Sequence, residues 1–190
     1  MPTNDYHFVT LWRVDGTAKE VADVLKDATA LPRWWPSVYL DVRQLEPGDE
    51  EGVGRVISLY TKGWLPYTLR WQFRVTESRY PYGFSLEAWG DFEGRGIWTF
   101  RQDGDHVNVI YDWKIRADKP LLRSLSFILK PIFSANHRWA MARGEESLKL
   151  ELARVRAGTE AEASLVPPPP GPTFPHNRSY RRPRSRAART

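Results

Sequence analysis

The stretch GRGIWTFRQDGDHVNVIYDWKIR, residues 94–116, alternates between apolar and polar positions on both sides of a turn. The residues that share the apolar face fall on every second position: Gly96, Trp98 and Phe100, then Val107, Val109, Tyr111, Trp113 and Ile115. Asp103-Gly104-Asp105, between the two halves, is typical of a hairpin turn. Since a period of two brings every second side chain to one face of a strand, this stretch predicts an antiparallel hairpin with one buried face.

The same alternation recurs upstream in five further segments, which are residues 6–15, 38–45, 53–62, 65–78 and 84–89. Short connections require neighbouring strands to be antiparallel, because parallel strands need a crossover of about a dozen residues. The charged residues that the alternation places on the solvent face are Arg70, Arg74, Glu87 and Asp112. The pattern therefore predicts a curved, seven-stranded antiparallel sheet whose concave face needs a cover.

A long amphipathic helix, predicted over residues 121–156, is the element that can supply this cover. Its apolar stripe has spacings of three and four and consists of Phe133, His137, Ala140, Met141, Gly144, Leu148 and Leu152. Pro131 removes one backbone donor, so we expect a kink or break there. Two short helices are predicted after the first strand. Thr17 and Glu20 have the spacing of a capping box at the start of one, and residues 31–36 form a compact helix or turn.

Composition divides the chain into a domain over residues 1–158 and a disordered tail rich in Pro and Arg over residues 159–190. The chain carries 28 basic and 23 acidic residues, and six Arg and two Glu lie in the tail, which leaves the domain about +1. A near-neutral domain is not typical of DNA readers. Contact of the tail with nucleic acid or an anionic membrane is one interpretation, and a solubilising end is the simpler one.

Several site classes are excluded or not indicated. The chain has no Cys, which excludes disulfides and thiol nucleophiles. Its four His are scattered, so we predict no metal site, and no nucleotide-binding fingerprint indicates a cofactor. Without a signal-like or membrane-spanning segment, we expect a cytoplasmic protein.

Several motifs resemble the START-like superfamily, which holds polyketide cyclases/dehydrases, Bet v 1-like proteins and lipid-transfer domains. The motifs are VDGTAKEV at 14–21, LPRWWP at 31–36, PLLR at 120–123, NHRWAM at 136–141 and RGEESL at 143–148. The resemblance covers residues 6–156. It implies an α+β helix-grip fold with a pocket between the sheet and the long helix for a lipid, isoprenoid, steroid or polyketide. It implies no universal catalytic residue.

Aromatic residues are numerous enough to line such a pocket, with nine Trp, eight Tyr and eight Phe in the chain. The predicted ligand-binding residues are Trp12, Trp35, Trp71, Phe73, Trp98, Tyr111, Trp113, Phe133, Asn136, His137 and Met141. Each aromatic ring would equally serve as ordinary core. Trp34 and Trp35 fit either a packed plug or a gate. His137 and Tyr111 are candidate proton-transfer residues if the protein is an enzyme.

Three functions remain open on the sequence. The first is binding of a hydrophobic small molecule for carriage or sequestration. The second is a polyketide cyclase or dehydratase that uses His137 or Tyr111. The third is an interaction protein with a filled core and a functional basic tail. The oligomeric state is not predicted.

Overall fold

The computed structural model describes residues 5–116 and 126–173, with the backbone alone for residues 126–130. Seven strands form one antiparallel sheet: β1 Asp5–Asp15, β2 Tyr39–Glu46, β3 Val56–Lys62, β4 Thr68–Ser78, β5 Gly83–Gly90, β6 Glu93–Asp103 and β7 His106–Arg116. Their order across the sheet is β1-β7-β6-β5-β4-β3-β2. The predicted hairpin forms between β6 and β7, with Asp103 paired with His106 and Gly104 in the turn at a φ of 59°.

The helices comprise α1 Ala18–Lys26, a 3-10 turn at Ala28–Ala30, α2 Leu31–Trp34, α3 Ser126–Arg156 and α4 Glu160–Leu165. The two short helices predicted after the first strand are thus confirmed. The capping box is present, because the backbone N–H of Glu20 donates to Thr17 Oγ1 at 3.2 Å and Thr17 N–H donates back to Glu20 Oε2 at 2.7 Å. The fold is the predicted α+β helix-grip architecture.

The long helix α3 packs against β1, α1 and α2 and covers the concave face. Its predicted stripe faces inward, with Met141, Leu148 and Leu152 buried. Pro131 lies inside the helix without ending it. Its ring nitrogen cannot donate a backbone hydrogen bond, yet the helix continues through this position to Arg156. The predicted start at residue 121 lies outside the described residues.

The predicted strand faces are correct. The concave face carries buried tryptophans, which include Trp12, Trp98 and Trp113. The opposite face carries exposed charged residues, which include Arg70, Arg74 and Glu87. On the outer surface His7 Nε2 lies 3.0 Å from Asp112 Oδ1. Two strands begin three residues later than predicted. The segment before β3 turns at Gly52 and Gly54, which have positive φ, and residues 63–67 before β4 form a loop over the rim of the sheet.

The helix α4 is a feature that the sequence analysis did not predict. Its capping box, in which Glu162 N–H donates to Thr159 Oγ1 at 3.2 Å, starts the helix, and none of its residues is buried. Six residues are too few to show helical periodicity, which explains why the pattern gave no signal. The segment that follows is tied to α3, since Arg154 Nη2 donates to the carbonyl of Pro167 at 3.1 Å. Residues 174–190 lie outside the described part of the chain, so the prediction for the Arg-rich end stays a prediction.

Candidate functional site: an aromatic cavity under the long helix

A cavity of about 610 Å³ lies between the concave face of the sheet and the first half of α3. Its wall is mostly apolar, and ten of its residues are Phe, Tyr or Trp. Strands β1, β2, β3, β4 and β7 contribute the floor, the loop at residues 63–67 contributes one rim, and residues 132–141 of α3 contribute the roof. Cavities of this size and composition are typical of sites for small organic ligands.

Eight of the predicted ligand-binding residues line this cavity: Trp35, Trp71, Tyr111, Trp113, Phe133, Asn136, His137 and Met141. They come from β4, β7 and α3, with Trp35 directly after α2, and alternation along β4 and β7 correctly predicted the inward position of Trp71, Tyr111 and Trp113. Their contact with a ligand stays a prediction.

Three predicted residues lie elsewhere. Trp12 and Trp98 pack against each other with ring centroids 5.5 Å apart, in the core beyond the cavity. Phe73 faces a separate small cavity of about 60 Å³ near α1. All three point inward as expected, but a strand of 11 residues spans roughly 35 Å, and only part of that length borders the larger cavity.

Four tyrosines line the cavity, of which only Tyr111 was predicted; the others are Tyr6, Tyr39 and Tyr67. Burial raises the pKa of Tyr67 to about 12, and burial also raises the pKa of Tyr39 and Tyr111. These phenols are therefore neutral at pH 7. Among the described residues, the hydroxyls of Tyr39 and Tyr111 have no hydrogen-bond partner, so both are available to a ligand oxygen.

The imidazole of His137 forms part of the roof. It stacks on the ring of Phe8, with centroids 4.2 Å apart and planes at 20°. Its Nε2 is buried and has no hydrogen-bond partner within the described part of the chain. Burial, with a smaller contribution from Arg138, lowers the pKa of His137 to about 4. At pH 7 this side chain is neutral, which suits it to hydrogen bonding better than to acid catalysis.

Asn136 has a positional role that the sequence did not reveal. Its Oδ1 accepts the backbone N–H of Leu65 at 3.2 Å, which ties the loop at residues 63–67 to α3. A Cβ at Gly63 would lie 2.1 Å from this same oxygen, so the loop needs glycine at that point. The Asn136 oxygen is thus engaged with the rim, which leaves the side-chain NH2 as the group that could donate to a ligand oxygen.

The two tryptophans of residues 31–36 have different surroundings, one in the core and one at the cavity. Trp34 is fully buried, while Trp35 reaches the cavity wall and lies against α3 at Gly144. The segment is held by Arg33, whose guanidinium donates to both oxygens of Glu151 at 2.9 and 2.5 Å. Glu151 is 2% exposed, and nothing in the helical pattern marked it as buried.

Lys62 is the second charged residue that sequence reasoning missed. It lines the cavity and is 2% exposed, and burial lowers its pKa. Strict alternation would place Thr61 and Lys62 on opposite faces. Both are buried because β3 ends at Lys62 and the chain there leaves the sheet for the rim loop.

Neither a metal-binding cluster nor a membrane-spanning helix is found among the described residues. Residues 5–116 and 126–173 contain no group of three or more His, Asp or Glu side chains that could hold a metal ion. Within the same residues, no helix combines the length and hydropathy that crossing a bilayer requires.

Structural comparison agrees with this architecture. The Zhui aromatase/cyclase from Streptomyces sp. R1128 is 16% identical, with a TM-score of 0.67 over 80% of this chain and 97% of that protein. TTHA0849 from Thermus thermophilus is 13% identical, with a TM-score of 0.63 over 80% of this chain and 100% of that one. A START superfamily protein from Mycobacterium smegmatis is 13% identical, with a TM-score of 0.57 over 78% and 98%. At these identities the likeness concerns the fold.

Sequence comparison identifies the family. Curated protein sequences give no match to this chain. The profile of the family described as polyketide cyclase / dehydrase and lipid transport matches residues 7–153, which include all of β2 to β7 and nearly all of β1 and α3. The chain therefore belongs to the polyketide cyclase / dehydrase and lipid transport family.

Proposed function

We propose that this protein binds an apolar small molecule with oxygen substituents in the cavity under α3, and carries or sequesters it. The observation that carries this proposal is the cavity itself. About 610 Å³ remains open inside a wall of aromatic rings, with a small number of polar groups at fixed positions. The family description, which includes lipid transport, is consistent with such a ligand.

Burial of apolar surface supplies the affinity in this proposal. A ligand that loses about 300 Å² of apolar surface gains roughly 7.5 kcal/mol at 25 cal/mol per Å². Part of this gain is lost because the ligand gives up its translational and rotational freedom. The aromatic wall favours flat ring systems, since stacked and edge-on ring contacts add to simple burial.

Hydrogen bonds from the tyrosines would fix the orientation of the ligand. Tyr39 and Tyr111 are neutral phenols and can each donate to a carbonyl or hydroxyl oxygen. His137, with a neutral imidazole, can donate or accept depending on its tautomer. A pure hydrocarbon would leave these groups unsatisfied, which is why we propose an oxygenated ligand.

A neutral fluorescent probe, 1-aminoanthracene, tests the proposal. We expect micromolar binding with a rise in fluorescence. Ala140→Trp should reduce the affinity at least tenfold, because Ala140 lines the cavity and the indole would fill it. Ala153→Trp is the matched control, since Ala153 lies on the exposed side of the same helix. Circular dichroism would verify that both variants keep the fold.

The proposal is wrong if 1-aminoanthracene does not bind, or if Ala140→Trp and Ala153→Trp weaken it equally. Native mass spectrometry of the protein purified from its own host provides a second test. A copurifying apolar molecule would identify the ligand, whereas a protein that is empty and also rejects a panel of lipids and polyketides would count against the proposal.

The rival function, a cyclase or dehydratase, draws support from the position of His137. The side chain lies in the cavity roof, and its Nε2, which has no hydrogen-bond partner among the described residues, could relay a proton to or from a bound polyketide. Holding reactive carbons close to one another would supply most of the rate enhancement. If His137→Ala abolishes turnover of a polyketide substrate and leaves its affinity intact, the enzymatic hypothesis is preferred.

The third hypothesis, an interaction protein with a filled core, finds no support in the described side chains, which leave the cavity open. Deletion of residues 159–190 distinguishes it from the first two. The proposed binding function predicts an unchanged affinity for 1-aminoanthracene after this deletion.

A further inference from the structure

We propose that two copies of this chain associate through the free edge of β1, which pairs with the same edge of the second copy in antiparallel orientation about a two-fold axis. The feature that carries this inference is an edge strand that is open along part of its length and apolar on its solvent face. Such a contact would join the two sheets into one.

The backbone of β1 has a partner strand on one side, because β1 lies at the end of the sheet next to β7. Arg13 shows which backbone groups point to the free side, since its N–H donates to Glu145 Oε1 of α3 at 3.3 Å. Successive residues of a strand turn their backbone groups to opposite edges. The N–H and C=O groups of His7, Val9 and Leu11 therefore point away from β7 as well.

The long helix α3 covers one part of this edge and leaves the rest open. Glu145 takes the backbone N–H of Arg13, and the guanidinium of Arg156 donates to the carbonyl of Asp15 at 2.8 Å. Among the described residues, no comparable contact reaches the free side of residues 7–11. This stretch, the open edge of β1, therefore presents unpaired backbone donors and acceptors to solvent.

The solvent face of the open edge is apolar. The side chains of Val9 and Leu11 are 64% and 63% exposed. Ile110 of β7 lies opposite Leu11, and the exposed Ile97 of β6 lies in the same row of the sheet as Val9. An edge strand that combines free backbone groups with an exposed apolar face is a template for a further strand.

The other edge of the sheet has the features that prevent such pairing. The pairing of β2 with β3 is interrupted by two register shifts, and the charged side chains of Asp41 and Arg43 lie on β2, 2.8 Å apart. Residues 7–11 pair with β7 without a shift and include no Lys, Pro, Asp or Glu. Because exposed edges are commonly protected by bulges and charges, the unprotected edge of β1 indicates a partner.

The self-complementarity of β1 favours a second copy as that partner and selects the register. Centring the strand pair on Val9 brings Arg13 of one copy beside Asp5 of the other, so opposite charges meet at both ends. A shift of two residues in one direction would place Asp5 opposite Asp15, and a shift in the other direction would place it opposite the apolar Leu11. Like charges directly opposite each other destabilise a strand pair.

The same part of β1 borders the cavity on its other face, through Tyr6 and Phe8. Pairing would therefore hold this part of the cavity wall by backbone hydrogen bonds on both edges of the strand. An interface made of one short strand pair is at the small end of specific interfaces, so we expect a dissociation constant in the micromolar range.

Sedimentation equilibrium of the full chain, at concentrations from micromolar to millimolar, tests the inference. Val9→Lys would place two lysines opposite each other across the axis and should weaken the dimer at least tenfold. Val155→Lys is the matched control, because Val155 is 62% exposed near the end of α3, and it should change the dissociation constant less than twofold. A wild-type chain that stays monomeric would overturn the inference and leave the edge to a strand of another protein. Equal weakening by the two variants would overturn it as well.

Single introduced thiols test the register, since the chain has no Cys. The two Cα atoms at position 9 should lie about 5.5 Å apart across the axis, which suits a disulfide. Position 11 faces His7 of the second copy, so its own two Cα atoms should lie about 13 Å apart. Val9→Cys should therefore form a disulfide-linked dimer under mild oxidation, and Leu11→Cys should not. Cross-linking of both variants equally, of Leu11→Cys alone, or of neither would overturn the proposed pairing.

Discussion

The contact between Gly144 and Trp35 permits a quantitative test of how α3 meets the cavity wall. A Cβ built on Gly144 would lie 2.2 Å from Trp35 Cζ2 and 2.5 Å from Cη2. Ordinary contacts begin at about 3.4 Å, so in Gly144→Ala either the ring or the helix must move by roughly 1 Å. The ring is 2% exposed and touches Trp12, Trp34 and Tyr39, which leaves it little freedom except toward the cavity.

Two opposing effects set the magnitude for Gly144→Ala. Alanine in place of glycine inside a helix stabilises by about 1 kcal/mol. Overpacking of a filled core typically costs about 1–3 kcal/mol. With a contact this short against a confined indole, we expect the upper part of that range and a net destabilisation of about 1–2 kcal/mol. For a chain of this length, the melting temperature should then fall by about 2–8 °C.

A double-mutant cycle isolates the clash. In a Trp35→Phe background the distal part of the indole is gone, so Gly144→Ala should become stabilising by about 1 kcal/mol. The coupling energy between the two positions would then be about 2–3 kcal/mol. Urea denaturation followed by circular dichroism measures all four proteins. A stabilising effect of Gly144→Ala in the wild-type background, or the same effect in both backgrounds, would refute the packing described here.

Three further predictions concern charged and titratable groups. Glu151→Gln should lower the free energy of unfolding by about 1–3 kcal/mol in urea denaturation, because it removes a buried carboxylate that holds α2 to α3. Arg33→Met should have a smaller effect, because the Arg33 side chain is partly exposed. The guanidinium of Arg156 lowers the pKa of Glu20 from 4.5 to about 2. The stability that this ion pair contributes is therefore present above pH 4.5 and is lost as the pH falls toward 2. Glu20→Gln should make the melting temperature depend less on pH between 4.5 and 2, and an unchanged dependence would contradict the pairing. Burial lowers the pKa of His137 from 6.5 to about 4, so as the pH falls the unfolded state takes up a proton on this imidazole before the folded state does. Up to about 3 kcal/mol of stability is therefore lost between pH 6.5 and 4. His137→Phe should not lose this stability, as measured by thermal melts across this pH range.

Much of the fold could be predicted because its signals are local. Period-two alternation assigned the inward faces of β4, β6 and β7, and spacings of three and four assigned the stripe of α3. The capping box at Thr17 and the turn at Gly104 were also visible as short patterns. Where the local signal was short or absent, prediction failed: α4 has six residues, and β3 begins only after the glycine turns.

Prediction of the site was weaker for a related reason. Alternation turns Trp12, Trp98 and Trp113 inward alike, yet only Trp113 borders the cavity. Tyr6, Tyr39 and Tyr67 carry no mark that separates them from core tyrosines. Lys62 and Glu151 are charged, and charged residues in a sequence are assigned to the surface by default because they are so rarely buried.

The sequence by itself determined that an antiparallel sheet of seven strands is covered by one long helix, since the period of apolar residues is a property of each segment alone. Only the tertiary structure decided where the interior stays open. That depends on how closely α3 approaches the sheet, which Gly144 and the indole of Trp35 set at one end and Asn136 with Gly63 sets at the other. Such contacts join residues about 70 to 110 positions apart in the chain, and no local period records whether the space between two apolar faces is filled.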